Sequence, residues 1–139
     1  MTVVEPFRWP VRVYYEDTDA GGVVYYANYL KFLERARTEW LASLGFTLTA
    51  LQRDHRALFV VHRLDIVYRQ PARLYDALEI TLELATLGRS RLAAVQDVLR
   101  GDEQLVDARV TLACLDPVNW RPTRIPAPVS AKIDSWKGH

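Results

Sequence analysis

The stretch that decides the fold runs from Asp17 to Gly45, DTDAGGVVYYANYLKFLERARTEWLASLG. It begins with two carboxylates and a pair of glycines, and it continues without a break into the longest amphipathic pattern in the chain. Asn28 is the best capping side chain and Gly45 supplies the left-handed stop. Apolar residues recur between them at the spacing of a helix: Tyr29, Leu33, Ala36, Trp40 and Leu44, with Leu30 and Leu41 widening the stripe.

Downstream of this helix the apolar period changes from 3.6 to 2, which indicates strands. A long strand is predicted from Leu58 to Tyr68, and a three-stranded meander follows it, with turns at 88–90 and 101–103. An earlier strand is predicted over Val11 to Glu16. In the long strand we expect alternate residues to face the core, namely Leu58, Val60, His62, Leu64, Ile66 and Tyr68.

An antiparallel sheet with one buried face needs a cover, and the helix after Asn28 is the only candidate in the pattern. The predicted fold is therefore α+β, an antiparallel sheet wrapped around one long central helix. The outer face of the long strand keeps Phe59, Val61 and Val67, which is more apolar than solvent usually tolerates. We therefore expect subunits to pair, as a homodimer or a homotetramer.

The 139 residues fit a single domain, with a core over about 10–128 and a frayed tail over 129–139. A net charge of +1 gives no general attraction to nucleic acid or to a membrane surface. No secretory leader and no long apolar run are present, so a soluble cytoplasmic protein without membrane insertion is expected. Cys114 has no cysteine partner and is predicted to be a buried core residue.

Several kinds of site can be excluded from the loop that starts at Asp17. A calcium loop of the EF-hand type needs an oxygen ligand at Gly21 and a glutamate at Asn28. A phosphate loop needs a glycine pattern that is absent, and the scattered histidines suggest no metal site. His62 is expected to be a hydrogen-bonded core or interface residue.

The roles of Asp17 and Asp19 then have two interpretations. Both can simply cap a turn, because Asp and Gly are standard turn residues. Alternatively, one of them acts as a nucleophile or general base beside backbone N–H groups near Tyr25 and Tyr26 that stabilise an oxyanion. The residues alone leave this choice open.

Four segments resemble the 4-hydroxybenzoyl-CoA thioesterase family, and within it the YbgC branch, whose members are acyl-CoA thioesterases encoded alongside the Tol-Pal envelope system. They are VYYEDTDAGGVVYYANY at 13–29, ERARTE at 34–39, YRQPARL at 68–74 and RPTRIP at 121–126. The resemblance covers about residues 10–128. It implies the hotdog fold, a sheet wrapped around one long helix, and hydrolysis of an acyl-CoA thioester.

The same resemblance implies roles for individual residues. Asp19 is the catalytic carboxylate, and Asp17 is a neighbour that shapes the loop together with Gly21 and Gly22. The backbone N–H of Tyr26 is the oxyanion donor, although many members of this branch carry His at that position. Asn28 also matches the family motif and is expected to order the loop at the substrate.

Arginines at the turns and in the tail are the expected partners of the CoA phosphates, from the same chain or a neighbouring subunit: Arg89, Arg91 and Arg124. No cofactor is expected, because CoA is part of the substrate. A hydratase is disfavoured because no histidine lies near the loop, and a non-catalytic acyl-thioester binding or scaffold protein is the alternative. The sequence does not distinguish among short, long and aromatic acyl groups. It also does not distinguish an acyl-CoA substrate from an acyl carrier protein thioester.

Overall fold

The computed structural model describes residues 5–137, which form a five-stranded antiparallel sheet with three helices. The sheet order is β1-β3-β4-β5-β2, so β1 and β2 are its edges. The predicted α+β class is confirmed. The strands are β1 (Phe7–Arg12), β2 (Leu58–Tyr68), β3 (Ala77–Leu87), β4 (Arg91–Arg100) and β5 (Glu103–Leu115), and the helices are α1 (Asn28–Ser43), α2 (Leu48–His55) and α3 (Ala127–Lys137).

Helix α1 packs its apolar stripe against the sheet, as the spacing predicts. Leu30 departs from the expectation, because its side chain is 40% exposed, and Phe32 is fully buried in the stripe. Gly45 ends this segment with φ +95°, a left-handed conformation that costs glycine little. The buried residues of α1 are Tyr29, Phe32, Leu33, Ala36, Trp40 and Leu41.

The expectation of a frayed tail is wrong for the part of it that lies within residues 5–137. Ala127 to Lys137 form α3, and Val129 and Ile133 on this helix are fully buried. Trp136 packs edge-on against Trp40, with ring centroids 5.4 Å apart. Helix α3 therefore shares the covering of the sheet with α1, and α1 is not the only covering element. Gly138 and His139 lie outside the described residues.

Helix α2 was not predicted, because it is short and carries only one buried apolar residue. Its start is capped by Thr47, whose Oγ1 accepts the Ala50 N–H at 3.1 Å, and its end is marked by Arg56 in the left-handed region. Leu51 fixes it to the core with no exposed surface. Across residues 5–137, none of the helices has the length and apolar character needed to cross a membrane.

The first strand lies earlier than the predicted Val11 to Glu16. β1 occupies Phe7–Arg12 and pairs with β3, and Pro10 is tolerated because β1 is an edge strand. The chain then leaves the ladder, and Tyr15–Asp17 form one turn of 3-10 helix. Val13 still exchanges hydrogen bonds with Tyr75 and Asp76, so the start of the Asp17 loop is held beside β3.

Strand β2 has the predicted limits, but its two faces do not alternate throughout. Its register against β5 shifts between Val61 and Arg63, which is a β-bulge at His62. Because the bulge adds one residue, the residues before it that were predicted to face outward face the core. Phe59 therefore packs against the core, and His62 is exposed. The prediction for Phe59 and a core location for His62 are therefore wrong. Val61, which lies on the same side of β2 as Phe59, and Val67 are nevertheless 51% and 48% exposed.

The meander is confirmed, since β3 pairs with β4 and β4 pairs with β5.

Cys114 on β5 is fully buried, as predicted. This burial raises the pKa of its thiol to about 11, so the native thiol stays protonated at neutral pH.

We expect native Cys114 to react with iodoacetamide at pH 8 about 100-fold more slowly than in guanidinium, where the pKa returns to its ordinary range. Because the folded pKa is the higher one, this group lowers stability as pH rises from about 9 towards 11. Alkylation rates followed by mass spectrometry test the first statement, and equal rates in the two conditions would contradict it.

Candidate active site

The loop at 17–25 is a tight hairpin. Thr18 bridges to Val24, the Asp19 N–H donates to the Val23 carbonyl at 2.9 Å, and the Tyr25 N–H donates to the Asp17 carbonyl at 3.0 Å. Gly22 at its tip has φ +79°, which disfavours any residue with a Cβ. The hairpin is thus fixed by its own backbone before any ligand arrives.

Asp17 lies inside this hairpin and is buried. Its Oδ2 accepts the Tyr14 N–H at 2.9 Å, and its carbonyl accepts the Asn28 Nδ2–H at 3.0 Å. Asn28 therefore does not cap α1, because its side chain reaches back to the loop. These contacts tie the incoming chain, the hairpin and the helix start together.

Asp19 is exposed, in contrast to Asp17. Its Oδ1 accepts the Gly21 N–H at 2.8 Å, which fixes the direction of the carboxylate. No donor among residues 5–137 bonds its Oδ2. One carboxylate oxygen is thus anchored, and the other is available to a substrate or a water molecule. Within the same residues, no group of three or more His, Cys, Asp or Glu side chains could hold a metal ion.

The start of α1 leaves backbone donors free. The Asn28 N–H already donates to the Tyr25 carbonyl at 2.8 Å, whereas no acceptor within residues 5–137 bonds the N–H of Tyr26. No side chain caps this end of the helix. Unpaired N–H groups and the positive end of the helix dipole favour a negative charge at this point.

A cleft of about 270 Å³ opens beside Tyr26. The Tyr68 hydroxyl donates to the Tyr26 carbonyl at 3.3 Å, and the Tyr29 ring lies 5.6 Å from that of Tyr68. The sequence did not identify the wall formed by the end of β2, although the break of strand pattern at 70–71 marks it. The lining residues are Val24, Tyr26, Tyr29, Tyr68, Arg69, Gln70 and Pro71.

Two of these tyrosines are held in their neutral form. Burial is the main reason why the pKa values of Tyr29 and Tyr68 are raised. The Tyr29 hydroxyl accepts the Ala72 N–H at 3.0 Å, which locks the helix start to the segment after β2. The Tyr29 and Tyr68 parts of the wall are therefore uncharged near neutral pH, whereas Arg69, which also lines the cleft, is paired with Asp107.

The predicted arginines lie together, but far from the hairpin. Arg89 is in the β3–β4 turn, Arg91 begins β4, and the Ile125 N–H donates to the Arg89 carbonyl at 2.9 Å, which places Arg124 beside them. This is the end of the sheet opposite to the hairpin. Since β4 has ten residues, the two ends are roughly 30 Å apart at about 3.3 Å per residue. A single chain does not bring the arginines to Asp19.

The sequence profile of the thioesterase-like superfamily matches residues 13–133, which include the hairpin, the cleft and the arginines. This chain belongs to the thioesterase-like superfamily. The resemblance found in the sequence and the hotdog fold that it implied are both confirmed.

Within this superfamily the chain has similar relatives of nearly equal length. It is 45% identical over 128 residues to the acyl-CoA thioester hydrolase YbgC of Escherichia coli O6:H1, covering 91% of this chain and 95% of the relative. It is 44% identical over 131 residues to the acyl-CoA thioesterase YbgC of Haemophilus influenzae, covering 94% and 96%.

Solved thioesterase-like structures agree with the fold. A probable thioesterase from Bartonella henselae is 35% identical, with a TM-score of 0.84 over 88% of this chain and all of its own. A Staphylococcus aureus protein solved in complex with CoA gives a TM-score of 0.90 over 99% of this chain and 87% of its own. At 16% identity, the second likeness concerns the fold alone.

Proposed function

We propose that this protein hydrolyses acyl-CoA thioesters to a free acid and CoA, with Asp19 and the Tyr26 N–H as its reacting groups. The observation that supports this is an exposed carboxylate, anchored through one oxygen, in a hairpin that leads directly to an unpaired backbone N–H just before α1. The 45% identity to an acyl-CoA thioester hydrolase supports the same reaction.

In the proposed reaction the thioester carbonyl oxygen accepts the Tyr26 N–H. As a nucleophile adds to the carbonyl carbon, negative charge develops on that oxygen, and the helix end stabilises it. The carbon–sulfur bond then breaks, and CoA leaves as a thiolate that takes up a proton.

Asp19 has one of two roles in this scheme. As a general base, its free oxygen takes a proton from a water molecule while the water oxygen attacks the carbonyl carbon. As a nucleophile, it attacks the carbonyl carbon itself and forms a mixed anhydride that water then hydrolyses. Both roles use the same carboxylate orientation, which the Gly21 N–H maintains.

Tyr26 contributes its backbone to this proposal, so the presence of Tyr in place of the His of many relatives leaves the donor intact. Asp17 and Asn28 maintain the hairpin through the contacts described above. The acyl group is accommodated in the aromatic cleft beside the donor, and both CoA and acyl carrier protein thioesters are candidate substrates.

A second copy of the chain completes the proposed site. The outer edge of β2 has no strand partner within residues 5–137, and an open edge of eleven residues is a template for pairing. Antiparallel pairing of β2 with its copy places the start of one β2 beside the end of the other. The arginines of one chain then approach the hairpin of its partner, where they can bind the CoA phosphates.

We expect the protein to sediment as a multiple of 16.0 kDa, and the double variant Val61→Lys and Val67→Lys to sediment at 16.0 kDa. Lysines at these two exposed positions of the edge strand oppose its pairing, and CoA release should fall with the loss of pairing. Val118→Lys is the control, since Val118 is 71% exposed in the loop after β5 and is not part of β2. A variant that stays oligomeric, or a fully active monomer, would contradict the shared site.

The two loop glycines give a further test. In Gly21→Ala the new Cβ would lie 3.2 Å from Asp19 Oδ1, so the carboxylate must shift by a few tenths of an ångström, and kcat should fall several-fold with little loss of stability. In Gly22→Ala nothing lies within 4 Å, but φ is +79°. That variant should instead lose about 1–2 kcal/mol of stability, as urea unfolding would show. If both variants lost only stability, Asp19 would not be the reacting group.

The reaction itself is tested by release of free thiol, followed with a thiol-reactive dye. The panel contains short aliphatic, long aliphatic and aromatic acyl-CoA esters and one acyl carrier protein ester. Turnover of any member supports a hydrolase, and the profile identifies the acyl group. No release from any of them would favour the alternative, a non-catalytic acyl-thioester binding protein. The cytoplasmic location stays a prediction.

A further inference from the structure

A short segment between β2 and β3, residues 71–73, joins two parts of the proposed site, and we call it the bridging segment. Its middle residue, Ala72, is fully buried. The Ala72 carbonyl accepts the Val24 N–H of the hairpin at 2.9 Å, and the Ala72 N–H donates to the Tyr29 hydroxyl of α1 at 3.0 Å. The bridging segment therefore contacts both the hairpin and the start of the helix.

Arg100, at the end of β4, holds both ends of the bridging segment. Its Nη1 donates to the Pro71 carbonyl at 3.2 Å and to Asp76 Oδ2 at 2.6 Å. The same Asp76 oxygen accepts the Arg73 N–H at 2.8 Å. Pro71 is thus held by Arg100 directly, and Arg73 is held through Asp76. The other edge of the guanidinium forms an exposed ion pair with Glu103, in which Nη2 lies 2.6 Å from Oε1.

The pair between Arg100 and Asp76 is partly shielded from solvent, since the two side chains are 30% and 22% exposed. Burial alone would raise the pKa of Asp76, but hydrogen bonds from the Arg73 N–H and from the Arg100 guanidinium hold that pKa below its ordinary value. The carboxylate is therefore ionised at neutral pH. Charge-assisted hydrogen bonds of this kind are shorter and stronger than neutral ones, so the bridging segment has a firm attachment to the end of β4.

The bridging segment contacts the hairpin at the residues that lie between the two reacting groups. Val23 bridges to Arg73, and the Val23 carbonyl accepts the Asp19 N–H at 2.9 Å. The next residue, Val24, is bound to the bridging segment two positions before Tyr26. A shift of the bridging segment would therefore change the position of the Asp19 carboxylate relative to the Tyr26 N–H.

We propose that Arg100 is a positioning residue for thioester hydrolysis, because it fixes Asp19 relative to the Tyr26 N–H through the bridging segment. The proposal rests on the proposed function, which assigns these two reacting groups. Arg100 is not among the residues of 5–137 that line the tyrosine-lined cleft, so it acts through other residues. Misplacement of reacting groups by about 1 Å can lower a rate by about 100-fold, so a contact remote from the chemistry can control kcat.

The first test compares the kinetics of thiol release in Arg100→Met and two controls. Arg100→Met should lower kcat about tenfold and change KM less than about threefold, because the reacting groups move while the binding contacts stay. Glu103→Gln removes only the exposed ion pair of the same guanidinium, so it should keep wild-type kcat. Arg8→Met should also keep it, since Arg8 forms a similarly exposed cross-strand ion pair with Glu79, between β1 and β3.

Hydrogen exchange of the backbone amides tests the positioning without any turnover. In Arg100→Met we expect the Val24 and Ala72 amides to exchange about tenfold faster than in wild type, because the bonds of both depend on the bridging segment. The Val110 amide should keep its wild-type rate, since Val110 is fully buried in the middle of β5.

The proposal is overturned if Arg100→Met keeps wild-type kcat, or if either control loses as much kcat as Arg100→Met does. It is also overturned if exchange at Val24 in Arg100→Met is unchanged or rises no more than exchange at Val110, which would indicate a general loss of stability. A wild-type protein that released no thiol would refute the hydrolase alone. Faster exchange confined to Val24 and Ala72 would then still support the positioning of the hairpin by Arg100.

Discussion

Asp19→Asn is expected to lower kcat for thioester hydrolysis by about 10² to 10⁴-fold, the range for loss of a positioned acid–base group. In the native protein the Gly21 N–H donates to Asp19 Oδ1 at 2.8 Å. The side-chain amide oxygen of the variant can still accept this N–H, so the hairpin should persist. Substrate binding should change little, because the exposed carboxylate takes no part in the helix-end contacts. Steady-state rates of thiol release test this prediction.

Glu16→Gln is the matched control. It removes an exposed carboxylate in the 3-10 turn just before the hairpin and leaves the hairpin bonds of Asp17 and Asp19 intact. We expect it to keep wild-type kcat. Full turnover by Asp19→Asn would exclude both the nucleophile and the general-base role, whereas equal losses in the two variants would indicate a general effect of loop charge.

Trp40→Ala is expected to cost about 3–5 kcal/mol, as is usual when a large aromatic side chain is removed from a core. Trp40 is fully buried where α1 meets α3, and it contacts the Trp136 ring. Because whole domains are stable by only about 5–15 kcal/mol, this one change removes much of the folding free energy. Urea unfolding followed by circular dichroism measures it.

Trp40→Phe tests the contribution of the indole N–H separately from that of the aromatic ring. Trp40 Nε1 is buried and has no hydrogen-bond partner within residues 5–137. Phenylalanine removes this N–H and retains part of the ring contact, so we expect a loss of less than about 1.5 kcal/mol. A loss as large as that of Trp40→Ala would mean that the indole N–H is engaged in solution.

Long periodic segments could be predicted from the sequence, and short ones could not. The limits of β2 and the meander follow from many alternating residues, each of which reinforces the same pattern. Helix α2 depends on one buried residue, Leu51. Helix α3 follows a proline-rich stretch, and its own apolar pattern is weak. The bulge at His62 was invisible because it inserts one residue into an otherwise regular alternation.

The candidate site also has features that the sequence predicts and features that it does not. A polar loop that leads into a helix near Asn28 was predictable because Asp17, Asp19 and the glycines are contiguous, whereas the hairpin bonds and the contact of Asn28 with Asp17 were not. The difference in burial between Asp17 and Asp19 has no local signal, since it depends on how the hairpin packs against the segment after β2. The grouping of the arginines at the other end of the sheet depends on strand order, and their approach to Asp19 depends on a second chain.

The most direct test of the proposed site is the amide spectrum of the protein with a non-hydrolysable acyl-CoA in which a methylene group replaces sulfur, so that a ketone carbonyl remains. We expect the Tyr26 amide proton to move downfield more than any other, because its free N–H donates to that carbonyl. Smaller shifts should follow at the lining of the aromatic cleft. Saturating binding that leaves the Tyr26 amide unmoved, with the largest shift elsewhere, would contradict this site.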